Sequence, residues 1–292
     1  MLGTVELVLD AKAPLGEGAI WEPDKKVLYW VDIDGFKVHV YDPVANKDRE
    51  YGVGKSVGTV VPRKSGGLML AVKDGFAEMD LDTGAVKVVA RPDDHPDGAR
   101  FNDGKCDPSG RFWAGTMGMD HGGGKGVLYR LDADLSIHRM LDNLTIPNGI
   151  VWSLDKKAMH YIDTRAGEVW TFDYDDATGA ITNKRTVVKI PKGVGGPDGM
   201  TIDSEGMLWV AHWGGWRVCR WDPNTGNLLD TIKVPAEQVS SCAFGGKDLD
   251  VLYITTARTG ITGARLESQQ LAGGLFKVKP GAKGVRAFSF AG

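Results

Sequence analysis

Asp103-Gly104-Lys105-Cys106, Asn148-Gly149-Ile150-Val151 and Asp198-Gly199-Met200-Thr201 are three copies of one short pattern: a leading residue, usually a glycine, then two mostly apolar positions. Glu17-Gly18-Ala19-Ile20, Val57-Gly58-Thr59-Val60 and Ser241-Cys242-Ala243-Phe244 are three more, and successive leading residues are 40, 46, 45, 50 and 43 positions apart. A period near 45 is the length of one propeller blade. Behind each copy comes a polar turn and a second strand-like run, such as Leu28-Tyr29-Trp30-Val31, Phe112-Trp113-Ala114-Gly115 or Leu208-Trp209-Val210-Ala211. A third alternating run follows, such as Val38–Tyr41, Val127–Arg130, Val169–Phe172 and Val218–Trp221, with weaker fourth strands at Val86–Val89, Thr186–Lys189 and Leu229–Lys233. Four strands per repeat and six repeats make an all-β, six-bladed β-propeller of four-stranded antiparallel blades. Val5–Leu9 precedes the first repeat with no local partner, so it is expected to close the ring against the last blade, beside Val285–Phe290. Residues 1–292 then form one domain.

Composition agrees with that reading. The chain has 292 residues, among them 40 Gly and 13 Pro spread along its length, which leaves almost no stretch of the 8–20 residues that helices need. Length alone would suggest two domains at roughly 150 residues each, but a closed ring of repeats makes no natural cut. The formal charge is −3, with like charges only in pairs such as Lys25-Lys26. No basic patch marks a nucleic-acid or anionic-membrane partner. Cys106, Cys219 and Cys242 are odd in number and lack any CxxC, so they read as buried thiols rather than disulfides or a thiolate zinc site. Glu6 and Asp10 interrupt any early apolar run, and none approaches the ~18 residues of a membrane span. A cytoplasmic monomer is the default expectation.

The innermost strand of each blade lines the central channel, so the residue opening each copy should stand at one mouth of it. Around the ring these are Glu17, Val57, Asp103, Asn148, Asp198 and Ser241, four of them carboxylates or an amide. Oxygen donors gathered from separate blades suit a hard divalent cation. Pro147-Asn148-Gly149 and Pro197-Asp198-Gly199 are also ordinary turn tripeptides, whereas Glu17 is a poor turn residue in the same register, which favours a shared metal site. Arg100 and Asn102 precede the third inner strand, and a cation beside neutral donors suits a polyhydroxylated ligand.

Leu15-Gly16-Glu17-Gly18 with Trp21, Arg100-Phe101-Asn102-Asp103-Gly104-Lys105 with Asp107-Pro108-Ser109-Gly110-Arg111, Ala114-Gly115-Thr116-Met117, Pro147-Asn148-Gly149, Pro197-Asp198-Gly199-Met200 and Phe288-Ser289-Phe290-Ala291-Gly292 carry a resemblance. From about Leu15 to Gly292 the chain resembles the family of senescence marker protein (regucalcin), gluconolactonase and luciferin-regenerating enzyme. The resemblance implies a six-bladed propeller that hydrolyses sugar lactones, such as gluconolactone, with a divalent metal. It implies Glu17, Asn148 and Asp198 as metal ligands, and Arg100 and Asn102 as substrate contacts. An acidic substrate contact after the Gly-Thr-Met falls on Asp120, one methylene shorter than the Glu of vertebrate members, and the Met119–Gly126 loop looks more bacterial.

Lactone opening needs a polarised carbonyl and an activated water, and three protein ligands leave room for both on a cation. Asp198, or a hydroxide carried by the cation, is expected to supply the nucleophile. All-oxygen ligation suits Ca²⁺, Mg²⁺ and Mn²⁺, with Zn²⁺ or Fe²⁺ as further candidates. A non-catalytic calcium-binding regulatory propeller, an interaction scaffold, and a hydrolase of other esters, organophosphate or aryl, are the competing readings.

Two motifs fail on context. Gly54-Lys55-Ser56-Val57-Gly58 matches a serine nucleophile elbow, but that needs a helix after the serine and a strand is expected here. A phosphate loop ending at Gly54-Lys55-Ser56 needs glycine where Arg49 stands. The six histidines show no HExxH or HxxxH spacing and read mostly as exposed or satisfied by neighbours; His121 and His212 are the two candidates for reaching the mouth, and Trp213 or Trp216 is the candidate stacking platform for a sugar ring.

Overall fold

The computed structural model describes residues 3–120 and 123–292. Six four-stranded antiparallel sheets stand around a central axis, and each of blades 1 to 5 uses four consecutive strands in order from the axis outward. Their inner strands are Gly16–Glu22, Val57–Pro62, Ala99–Cys106, Pro147–Trp152 and Gly196–Ile202, and blade 6 begins with Gln238–Gly245. Neighbouring inner strands pack on one another, the last against the first. Side chains fade from dry to wet along each blade. In blade 1, Val27–Asp32 is wholly buried, whereas the rim strand Lys47–Gly52 is mostly exposed or half-buried. Large aromatics fill the spaces between blades, with Trp30, Trp113 and Trp209 almost fully buried, the packing a propeller needs because each blade presents both faces to neighbours.

Two expectations need correcting. The N-terminal strand Glu6–Leu9 does complete blade 6, but its partner is Leu275–Val278, with Glu6 opposite Lys277 and Leu7 opposite Phe276. Residues 285–290 do not form the neighbouring strand. That segment runs under the ring instead: Phe290 N–H donates to Pro62 O at 2.8 Å, Lys64 N–H to Phe290 O at 2.9 Å, and Ala291 N–H to Gly110 O at 2.9 Å. The Phe290 side chain is fully buried in the main apolar cluster, so the alternating apolar residues that read as a strand seal the base of blades 2 and 3. The rim strands Lys47–Gly52 and Ile137–Leu144 lack the apolar alternation that marks a strand in sequence. All three cysteines are buried and free. Among the described residues, no helix is long and apolar enough to cross a membrane.

Candidate active site

Every inner strand breaks register with its second strand at the repeat signature: between Glu17 and Ile20, Val57 and Thr59, Phe101 and Gly104, Pro147 and Ile150, Pro197 and Met200, and Val239 and Ser241. A bulge adds a residue to one strand and re-aims side chains; repeated in six blades, it forms a ring of them at one level of the channel. The following glycine has a steric reason. At Gly18 φ is 61°, and a Cβ on Gly199 would lie 2.6 Å from Ser241 Oγ of the next blade.

The ring is crowded with like charge. Glu17, Asp103 and Asp198 are all buried, with relative exposures of 5%, 4% and 4%. Burial, then the charge of Asp103, pushes the Glu17 carboxyl up to about 8. Burial, then the charges of Glu17 and Asp103, pushes Asp198 well above the usual carboxylate range. Asp198 Oδ1, Asp103 Oδ2 and Ser241 Oγ are buried with no hydrogen-bond partner. Buried polar atoms are normally satisfied, so these orphaned oxygens mark a place shaped for something other than protein.

A chain of amides and a guanidinium holds the other side. Arg100 Nη1 donates to Phe101 O at 2.9 Å and to Asn102 Oδ1 at 2.7 Å. Asn102 Nδ2 donates to Pro147 O at 2.7 Å and to Asn148 Oδ1 at 3.1 Å. Both Asn102 amide protons are therefore committed within the protein, and its free capacity is the second lone pair of Oδ1. Asn148 Nδ2 in turn donates to Thr164 Oγ1 at 2.7 Å, and that hydroxyl donates to Pro197 O at 2.8 Å. This relay turns Asn148 Oδ1 toward Asn102 and ties three blades together at the site. Burial lowers the Arg100 pKa, against the opposing charges of Asp34, Glu17 and Asp198.

A cavity of about 720 Å³ opens over this group, and Glu17, Arg100, Asn102, Asn148 and Asp198 all line it. Such a volume is that of a small-molecule site. Asp120 is absent from the wall: its side chain is 58% exposed, with Oδ2 2.6 Å from Lys125 Nζ. Trp213 lines the cavity and Trp216 does not. His212 sits behind the wall, fully buried, with Nδ1 3.1 Å from Val194 O; His121 lies outside the described residues. Ser56 is followed directly by the strand Val57–Pro62, which leaves no elbow. Asp34, Thr164, Arg165 and Thr259 also line the wall. They come from turns between strands, where no repeat register points to them.

Two other features are less suited to hydrolysis. A cavity of about 260 Å³ at the far ends of the inner strands is walled largely by apolar side chains, including Trp21, Trp152, Phe244 and Phe288, with no carboxylate among the described residues. On the outer part of blade 1, ligand atoms of His39, Asp48 and Glu50 lie within 4.8 Å of one another. Cross-strand pairing rather than linear spacing assembles that group, and Lys37 already pairs with Glu50.

Comparison with known proteins places this geometry in context. The family model described as SMP-30/Gluconolactonase/LRE-like region matches residues 15–258. Regucalcin of Danio rerio is 45% identical over 291 residues, which is 99% of this chain and 98% of the relative. A Bacillus subtilis (strain 168) protein, YvrE, named provisionally as a sugar lactone lactonase, is 39% identical over 286 residues, 98% of each chain. The crystal structure of a calcium-binding protein, regucalcin, from Agrobacterium tumefaciens str. C58 has a TM-score of 0.94 at 26% identity, covering 99% of this chain and 97% of that one. Sequence similarity spans all six blades, inner-strand signatures included, and the chain belongs to the SMP-30/gluconolactonase/LRE-like family.

Proposed function

We propose that this protein is a divalent-cation-dependent lactonase that opens sugar lactones to aldonic acids. The observation that carries the reading is the buried carboxylate ring, with Asp198 Oδ1 facing no protein donor beside Glu17 and Asp103. Carboxylates so crowded stay ionised only with a compensating positive charge. Among the described residues, Arg100 is the one buried cation lining the cavity, and its hydrogen bonds go to a carbonyl and an amide oxygen rather than a carboxylate. The oxygen donors of Glu17, Asn148 and Asp198 fit a hard divalent cation. The relatives' names point the same way: one is called a sugar lactone lactonase and one a calcium-binding protein.

When bound there, a divalent cation supplies Lewis-acid polarisation of the lactone carbonyl. The chain's own residues do the rest. Asp198 accepts a proton from the attacking water at its carboxylate, help commonly worth ~10²–10⁴-fold. Glu17 contributes charge, and Asn148 a neutral oxygen held in place by Asn102 and Thr164. Arg100 presents its remaining N–H groups, and Asn102 its Oδ1 lone pair, to sugar hydroxyls. Trp213 gives the ring an apolar wall.

Acid release measured across aldonolactones, aryl esters and phosphotriesters tests the assignment. Turnover of aldonolactones well above the other two classes is expected. Preference for phosphotriesters would move the protein to a different hydrolase class, and cation binding with no turnover of any ester would leave a regulatory propeller.

A further inference from the structure

We propose that the lactone this cavity accepts carries an anionic group, a carboxylate or a phosphate, which the Arg165 guanidinium recognises. This narrows the substrate class within the lactonase reading and rests on it. Among the described residues, five ionisable side chains line the cavity: Glu17, Asp34, Asp198, Arg100 and Arg165. Arg100 is buried among the charges of Asp34, Glu17 and Asp198. Arg165 shares the same wall but is exposed, with no carboxylate within 4.0 Å and no hydrogen-bonded side-chain partner among the described residues.

A solvated arginine is ordinary on a surface. What distinguishes this one is its mounting. Arg165 is the middle residue of the 3₁₀ turn Thr164–Ala166, which ends at Gly167 in the left-handed conformation with φ 67°. Asp163, just before the turn, accepts from Thr145 N–H and Ile146 N–H, both at 2.9 Å, and Thr164 N–H donates to Ile146 O at 3.0 Å. The neighbouring Thr164 hydroxyl is the group that accepts from Asn148. The backbone carrying Arg165 is thus fixed to the same relay that orients a proposed cation ligand, one residue away. An arginine fork matches carboxylate and phosphate oxygens two at a time, and a neutral sugar lactone would leave that capacity to water. The cavity, at about 720 Å³, has room for a ring with a charged substituent.

The test compares kcat/KM for neutral D-glucono-1,5-lactone, its 6-phosphate and D-glucaro-1,4-lactone, in wild type, R165A and R165K, at low and high ionic strength. One anionic lactone should be favoured over the neutral one, the phosphate and carboxylate arms showing which. In R165A the anionic-to-neutral ratio should fall about 10–100-fold, the range for a hydrogen bond to a charged group, with R165K between the two and the preference weaker in high salt. Any loss shared by all three substrates cancels in the ratio. A ratio unchanged within about twofold, or a wild-type preference for the neutral lactone, would overturn the proposal. If none of the three is hydrolysed, the lactonase reading fails by itself. Calorimetric titration of 1,5-anhydro-D-glucitol against its 6-phosphate then still reads Arg165: phosphate preference lost in R165A supports the proposal, and equal affinities refute it.

Discussion

Replacing Glu17 by glutamine should stabilise the protein whenever no cation is bound. Burial and the charge of Asp103 raise this carboxyl from an ordinary value of 4.5 to about 8. A group whose folded-state pKa is raised favours folding while protonated, so its contribution is intact below 4.5 and is lost as pH climbs toward 8. At pH 7 the cation-free fold forgoes up to about 3 kcal/mol relative to a glutamate with its ordinary pKa, at 1.36 kcal/mol per pH unit. Glutamine keeps the shape and an oxygen to accept from Gly18 N–H, which Glu17 Oε2 now does at 3.2 Å, but it carries no charge. Calorimetry on thoroughly chelated protein should therefore find E17Q melting about 5 °C above wild type at pH 7–8, with the gap closing near pH 5. Saturating divalent cation should reverse the order, because wild type gains more binding energy than the amide. Equal melting temperatures at every pH, or a less stable chelated E17Q, would refute the picture of a carboxylate ring held together against its own repulsion.

Three further outcomes follow from the same structure. Asn102→Ala removes the donor that orients Asn148 Oδ1 and the acceptor for Arg100, so cation affinity in a calorimetric titration should drop about tenfold as KM for lactone rises, one charge-linked hydrogen bond being worth roughly that; an effect on KM alone would detach Asn102 from the cation side. Phe290→Ala empties a fully buried position beneath blades 2 and 3 and should cost about 3–5 kcal/mol, read as a lower midpoint in urea with an unchanged slope. Ser56→Ala should hydrolyse lactone at the wild-type rate, because no helix follows Ser56 to make it an elbow; a loss of several orders of magnitude with the fold intact would revive a serine mechanism.

How much of this could be read from the chain depends on what each segment buries. The inner strands are legible because channel and neighbouring blades constrain both faces and the bulge, leaving the same glycine-marked signature at Glu17, Asn148 and Asp198. Rim strands are only partly legible, three of them as weak runs, because they need no core-facing pattern; Lys47–Gly52 is five polar or glycine residues around one Tyr51. Ring closure was half legible. Val285, Ala287 and Phe288 alternate like a strand, but they wall the far cavity, while the pairing partner Leu275–Val278 is only four residues long. Asp34, Arg165 and Thr259 reach the cavity from turns, and turn residues carry no periodicity that could place them. Asp120 is close in sequence to the site and 58% exposed, with Lys125 Nζ at 2.6 Å, and no residue pattern in its glycine-rich loop places it relative to the cavity.

Acid release from D-glucono-1,5-lactone by wild type and Asp198→Asn, each stripped of metal and then reloaded, tests the central claim most directly. An amide oxygen still binds a cation but takes no proton near neutral pH, so the account predicts no turnover by either stripped protein, full recovery of wild type on reloading, and an Asp198→Asn that stays at least about 10²-fold slower with its cation bound. Full turnover by wild-type protein whose metal content is confirmed as nil would contradict it.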